Sequence, residues 1–211
     1  MKLFKLNQNE KLTPISEAKF GKEKTLQAIT EKNLNLVFGL EFVCSEFTVD
    51  DYRLDTLAFD PETKSFIIIE YKRQENNSVI AQGFAYLWKM LDRKAEFVLK
   101  YSNLKNKNYD EKDFNWDQSR ILFVSTSFSK YQLDSLNFCD LPFSLWEVKL
   151  YSGGYYSYRK LENSGSGPSI KKFVSTDPKI TKVVSEIKVY SEEEHIQKAN
   201  EYVKELYEEL R

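Results

Sequence analysis

One stretch, RLDTLAFDPETKSFIIIEYKR from Arg53 to Arg73, constrains the fold more than any other. Two strongly apolar runs flank a short polar segment. Asp-Pro followed by Glu and Thr suits a tight reversal. Arg53 to Phe59 and Phe66 to Lys72 are therefore expected to pair as antiparallel strands. A turn centred between Glu62 and Thr63 places Asp55 opposite Glu70 and Arg53 opposite Lys72. Directly opposed side chains have Cβ atoms about 5 Å apart. Two facing carboxylates repel each other unless something positive lies between them.

A divalent metal is one answer to that repulsion. Mg²⁺ takes oxygen ligands from one or two carboxylates and completes its shell with water and phosphate oxygens. Lys72 lies two residues beyond Glu70 and so shares its strand face. There an ammonium can orient or deprotonate a water, or stabilise charge on a phosphate. The combination suits hydrolysis of a phosphodiester. It depends on register, because a one-residue slip sends Asp55 to the other face. The plain alternative is a core strand meeting water, since Glu-x-Lys at a strand exit is common.

Composition narrows the chemistry further. The 211 residues suffice for one sizeable domain, or for one with a small appendage. Hydrophobic residues at 41% and aromatic ones at 15% indicate a packed core. The 31 basic and 32 acidic residues leave a formal net charge of −1. Bulk charge thus gives no argument for nucleic acid, and any basic surface is local. His195 is the only histidine. That argues against His-rich metal sites, Ser-His-Asp triads and Cys-His pairs. Acid–base chemistry falls to carboxylates, Lys or Tyr. Cys44 and Cys139 lack metal-ligand spacing and read as reduced thiols of a cytosolic protein. The N-terminus reads as no signal peptide, and no run approaches the roughly 18 apolar residues of a membrane helix. A soluble, cytoplasmic protein is expected.

Around the hairpin, MKLFKLNQNEKLTPIS reads as a short strand and turn, and Gly21 to Leu36 as a helix with Leu26, Ile29 and Asn33 inward. At 100° per residue, Glu23 lies roughly 80° from that stripe and Glu31 about 160°. Glu23 is favoured as a further acidic site residue, and Glu31 is expected to face water. GLEFVCSEFTV alternates like a strand. Asn77 is the expected cap of a second helix with Ile80, Phe84, Leu87, Trp88 and Leu91 inward. Gln82, Tyr86 and Lys89 lie off that stripe. Gln82 could bind water or a phosphate there; equally it reads as a solvent-facing residue.

AEFVLKY reads as a strand or as more of that helix, and RILFVSTSF as a buried strand. Tyr131 to Asn137 is a candidate short helix. FSLWEVKLYSGGYYSYRKL reads as a hairpin around Gly153-Gly154. The loop from Tyr101 to Trp116 combines lysines with aromatics that could stack on nucleic acid, diluted by Asp110, Glu111 and Asp113. ENSGSGPS is a linker by composition, and DPKITKVVSEIKVYS shows no core pattern. Ser191 to Arg211 reads as one helix capped by Ser191, with Ile196, Ala199, Val203, Leu206 and Leu210 as its apolar stripe.

The order of these motifs resembles the PD-(D/E)XK, or restriction-endonuclease-like, nuclease superfamily. A helix with Glu precedes RLDTLAFD, then IIIEYKR, then a helix with VIAQGFAYL. LQAITEKNLNLVFGLEF and LPFSLWEVKLY add to a likeness with the branch of archaeal and bacterial single-strand and mismatch endonucleases. It covers roughly residues 15 to 160. The resemblance implies an α/β fold with a restriction-endonuclease-like core, a central mixed sheet flanked by helices, and a C-terminal helix. It implies Asp55 and Glu70 as ligands of Mg²⁺ or Mn²⁺, Lys72 as the catalytic lysine, Gln82 as the supporting glutamine and Glu23 as the helix acid, with Glu31 a competing alignment. Leu54 stands where the superfamily name has proline.

The tail VYSEEEHIQKANEYVKELYEELR resembles the opening of a different domain of no known function, sometimes labelled a predicted transport protein. The expected organisation is a nuclease-like domain over 1–162, a linker or extension over 163–190, and a C-terminal helix over 191–211. The expected activity is metal-dependent DNA hydrolysis in restriction, defence or repair. DNA, in single-stranded or structured forms, is the expected partner. The last helix offers a surface for a second copy or another subunit. The rival reading is a nuclease fold kept for binding, assembly or regulation.

Overall fold

The computed structural model describes residues 2–72, 79–138, 140–162, 168–169, 178–190, 192–199 and 201–210. Strands β5 (Tyr52–Asp60) and β6 (Ser65–Lys72) form the expected antiparallel hairpin, with Thr56 opposite Ile69 and Asp60 opposite Ser65. Asp60 shapes the reversal. Its Oδ1 accepts from the backbone N–H of Glu62 at 3.0 Å and of Thr63 at 3.3 Å. An aspartate bonding the backbone two residues on mimics a turn. Arg120 closes on its Oδ2 at 2.8 Å, and those hydrogen bonds and that charge hold the Asp60 carboxyl below its usual range against the burial that opposes them.

Strand β4 (Glu41–Val49) pairs antiparallel with β5. On the other side β7 (Arg120–Ser125) runs parallel to β6, and β8 (Phe143–Tyr151) parallel to β7. Strand β9 (Tyr155–Leu161) folds back on β8 through Gly153 and Gly154, both at positive φ. The two-residue β3 (Glu17–Ala18) pairs the far end of β8. The sheet is therefore mixed. Apart from it, β1 (Leu3–Leu6) and β2 (Leu12–Ile15) form a separate two-stranded hairpin.

Strand β6 is buried from Ser65 to Tyr71. A strand covered on both faces reads as a continuous apolar run. One face packs Leu57, Phe66, Ile68 and Phe123 under helices α3 (Val79–Asp92) and α4 (Lys94–Lys105). The other packs Ala58, Ile67, Ile69 and Tyr71 under α1 (Glu23–Lys32) and α2 (Leu34–Phe38). Gly83 seats α3 closely: a Cβ there would meet the Phe123 ring at 2.8 Å. Four further helices follow: α5 (Lys130–Ser135), α6 (Pro178–Glu186), α7 (Glu192–Lys198) and α8 (Glu201–Leu210).

Several expectations change. AEFVLKY is helical, in α4. The Gly21–Leu36 helix breaks at Asn33 into α1 and α2. The segment that showed no core pattern forms α6, and its Val183, Val184 and Ile187 are buried in the core under α3. The tail is two helices, not one, and Val203 is 44% exposed. His195 is exposed and meets the Tyr190 ring edge-on at 5.6 Å. Asn77, Ser191, Cys139, Arg73 and residues 163–167 and 170–177 lie outside the described residues, as do the side chains of Ile80, Leu206 and Leu210. Among the described residues no helix is long and apolar enough to cross a membrane.

Candidate functional site

The β5–β6 ladder stops at Thr56 and Ile69. Asp55 and Glu70 come next, and they meet where the two strands part. Beyond that point the Tyr71 N–H donates to Asp55 Oδ2 at 3.0 Å, so a side chain stands where a ladder carbonyl would. Glu70 is 1% exposed. Burial, and then contact with Asp55, push its carboxyl up to about 9, against the pull of Lys72. A buried carboxyl beside a second one resists ionising for both reasons.

Helix α3 supplies the cover. Gln82 Nε2 donates to Glu70 Oε2 at 3.3 Å and to Tyr86 Oη at 2.6 Å. Tyr86 donates in turn to the Arg53 carbonyl at 3.1 Å, taking up a backbone group of β5. Burial, and next the neighbouring Glu70, push the Tyr86 hydroxyl up to about 12. Tyr86 and Lys89 lie off the apolar stripe in sequence, yet both are buried. Lys89 achieves this by pairing with Asp50 at 2.8 Å and lying over the Trp88 and Tyr52 rings. Apolar periodicity alone cannot find such residues.

The orientation of the two α1 glutamates is a correction. Glu31, expected to face water, turns to the sheet. Its Oε1 accepts from Gln27 at 3.0 Å, Ser45 at 2.7 Å and Thr56 at 2.6 Å. Glu23 is exposed in the first turn of α1. The inner face of α1 is Leu26, Gln27 and Thr30, not Leu26, Ile29 and Asn33. Apolar spacing alone misplaces the stripe, because Gln27 and Thr30 are polar yet face inward. The sheet below them carries its own hydrogen-bonding groups, so their burial costs little.

The Lys-rich loop is a second correction. Tyr109, Phe114 and Trp116 turn inward on Tyr101 and Phe66. Lys105 pairs with Glu41 at 2.7 Å, and Asn115 N–H bonds the Lys64 carbonyl. The loop closes the start of β6, roughly 20 Å of strand from Lys72. It is not placed to share a cleft with Glu70.

Among the described residues no group of three or more His, Cys, Asp or Glu forms a metal-binding cluster. The donor set at the strand exit is two carboxylates. That number fits Mg²⁺ or Mn²⁺, whose shell keeps waters and takes phosphate oxygens, and it does not fit a structural Zn²⁺ site.

Fold and site together define a mixed α/β protein whose central strand ends in a buried carboxyl, Glu70, against the half-buried Asp55. The chain belongs to the same family as a Haemophilus influenzae protein described only as uncharacterised: the two are 39% identical over 211 residues, all of this chain and 70% of that one. No protein-family model matches the sequence. Solved structures similar to it in part include a repair endonuclease from Pyrococcus abyssi, 15% identical with a TM-score of 0.36 over 57% of this chain and 45% of that one. A complex of EndoMS with double-stranded DNA is 14% identical, at 0.37, over 69% and 65%. Pyrococcus furiosus SfsA with Ca²⁺ is 16% identical, at 0.33, over 72% and 78%.

Proposed function

We propose that this chain is a Mg²⁺- or Mn²⁺-dependent nuclease of the PD-(D/E)XK type that hydrolyses DNA phosphodiester bonds in the cytoplasm, in restriction, defence or repair. The observation that supports it is Glu70, buried against Asp55 at the exit of the central strand with Lys72 on the same face. A structural strand has no use for such a pair, because Asp55 disfavours the ionised form of Glu70. Asp55 and Glu70 are the residues to hold the ion, which when bound would stabilise the charge that develops on the phosphate. Lys72 orients the attacking water and holds positive charge beside the phosphate. Gln82 fixes the Glu70 carboxyl through Oε2 and is itself fixed by Tyr86. Tyr71 N–H fixes the orientation of Asp55.

The test is cleavage of labelled single- and double-stranded DNA with Mn²⁺, Mg²⁺ or EDTA, with Glu70→Ala and Lys72→Ala beside wild type. The expected outcome is metal-dependent cleavage that falls at least 100-fold in both variants. Activity that survives both substitutions, or EDTA, would sink the reading. Wild type inactive on every substrate, while still binding DNA, would instead favour a binding or assembly module.

A further inference from the structure

We infer that Gln27 is a positioning residue for Asp55, acting from the opposite side of the sheet; this rests on the reading of Asp55 as a ligand. Where the β5–β6 ladder stops, the backbone of Asp55 needs another partner. Gln27 Nε2 provides it, donating to the Asp55 carbonyl at 2.9 Å. The same nitrogen donates to Glu31 Oε1 at 3.0 Å, so both of its protons are used. Glu31 is anchored in turn by Ser45 of β4 and Thr56 of β5. Gln27 is buried at 9% exposure, one turn of α1 from Glu31.

The consequence is a carboxylate fixed at two points. Tyr71 N–H holds the Asp55 side chain, and Gln27 holds its main chain. The flanking Leu54 and Thr56 pair with β4, and at Asp55 itself the Gln27 side chain takes the carbonyl. The parted strands give β5 no further restraint from β6 at this position. A ligand held within about 0.5 Å of its productive place depends on such supports, and loss of a supporting partner typically costs 10–100-fold in metal affinity or activity. Gln27 touches no reacting atom in this scheme. Its part is to set where Asp55 stands when an ion arrives.

The test is Gln27→Met, close in volume but without the two donors, studied beside wild type and Gln27→Glu in the full chain. Three quantities are read: Mn²⁺ affinity by calorimetry, kcat against KM for DNA cleavage, and melting temperature in EDTA. The expected result for Gln27→Met is a roughly tenfold or greater loss of Mn²⁺ affinity, with a fall in kcat and an unchanged KM. Gln27→Glu, which cannot donate and faces Glu31, should do no better. A lowered melting temperature with Mn²⁺ affinity and kcat at wild-type values would show a merely structural Gln27 and overturn the inference, leaving the nuclease reading intact. Wild type that binds no Mn²⁺ and cuts no DNA would overturn both.

Discussion

At the start of β6, Phe66 is enclosed by rings: Phe59, Phe97, Tyr101, Phe114 and Trp116 all lie within 6.0 Å of it between centroids. Four residues on, Glu70 is equally buried, but its neighbours are Asp55, Gln82 and Lys72. The same strand thus excludes water at both ends with opposite electrostatic outcomes. At the first end burial removes apolar surface from water and stabilises the fold. At the second it raises the cost of ionising Glu70, whose carboxyl therefore holds its proton. Apolar packing is concentrated at one end of the strand, and a carboxyl that resists ionising lies at the other.

Five experiments sharpen or break that contrast. Phe66→Ala should cost the most, about 3–5 kcal/mol of unfolding free energy, because a ring leaves a cavity among other rings. Urea denaturation reads it; a loss under 1 kcal/mol would mean that the cluster is not a structural anchor. Glu70→Gln should act in the reverse sense. The folded carboxyl sits near 9, above its unfolded value near 4.3, so the folded state holds the proton more tightly. The metal-free protein should therefore lose stability as pH rises from about 4.5 to 9, by at most about 1.4 kcal/mol per pH unit. Glu70→Gln should flatten that slope, and unfolding curves at pH 5, 7 and 9 in EDTA decide the matter. Mn²⁺ must also displace that proton, so its uptake at pH 7 should release close to one, seen by calorimetry in buffers of different ionisation enthalpy.

Smaller effects separate the two glutamates of α1. Glu31→Ala removes the acceptor shared by Gln27, Ser45 and Thr56 and should cost about 1–3 kcal/mol. Glu23→Ala, at an exposed position, should stay within about 0.5 kcal/mol. Thermal melts of the two variants compare them directly. The smallest effect is expected of Lys105→Ala. Its ion pair with Glu41 is half-exposed and belongs to the stable end of the strand. DNA affinity by fluorescence anisotropy should change less than twofold, and a larger loss would restore this loop as a contact surface.

The hairpin was legible because its determinants are local. Asp60 and Pro61 make the turn, the apolar runs make the strands, and a symmetric turn dictates the register that brings Asp55 to Glu70. Gln82 was legible as a helical residue off the apolar stripe, though its bond to Glu70 was not. The face of α1, the burial of Tyr86 and Lys89, and the inward packing of Tyr109, Phe114 and Trp116 were not legible. Each depends on partners distant in the chain: Thr56 and Ser45 for Glu31, Arg53 for Tyr86, Asp50 for Lys89, Phe66 for Trp116.

The sequence by itself determined that Arg53 to Lys72 pairs as a hairpin, that the core is α/β, and that a single histidine, His195, leaves no imidazoles for a His-rich metal site. Local propensity and the period-two pleat suffice for the hairpin. Only the tertiary structure decided which glutamate of α1 meets the sheet, what covers Glu70, and that the aromatic loop belongs to the core. A polar side chain goes inside only when a partner across the fold satisfies it, and no local pattern records that partner.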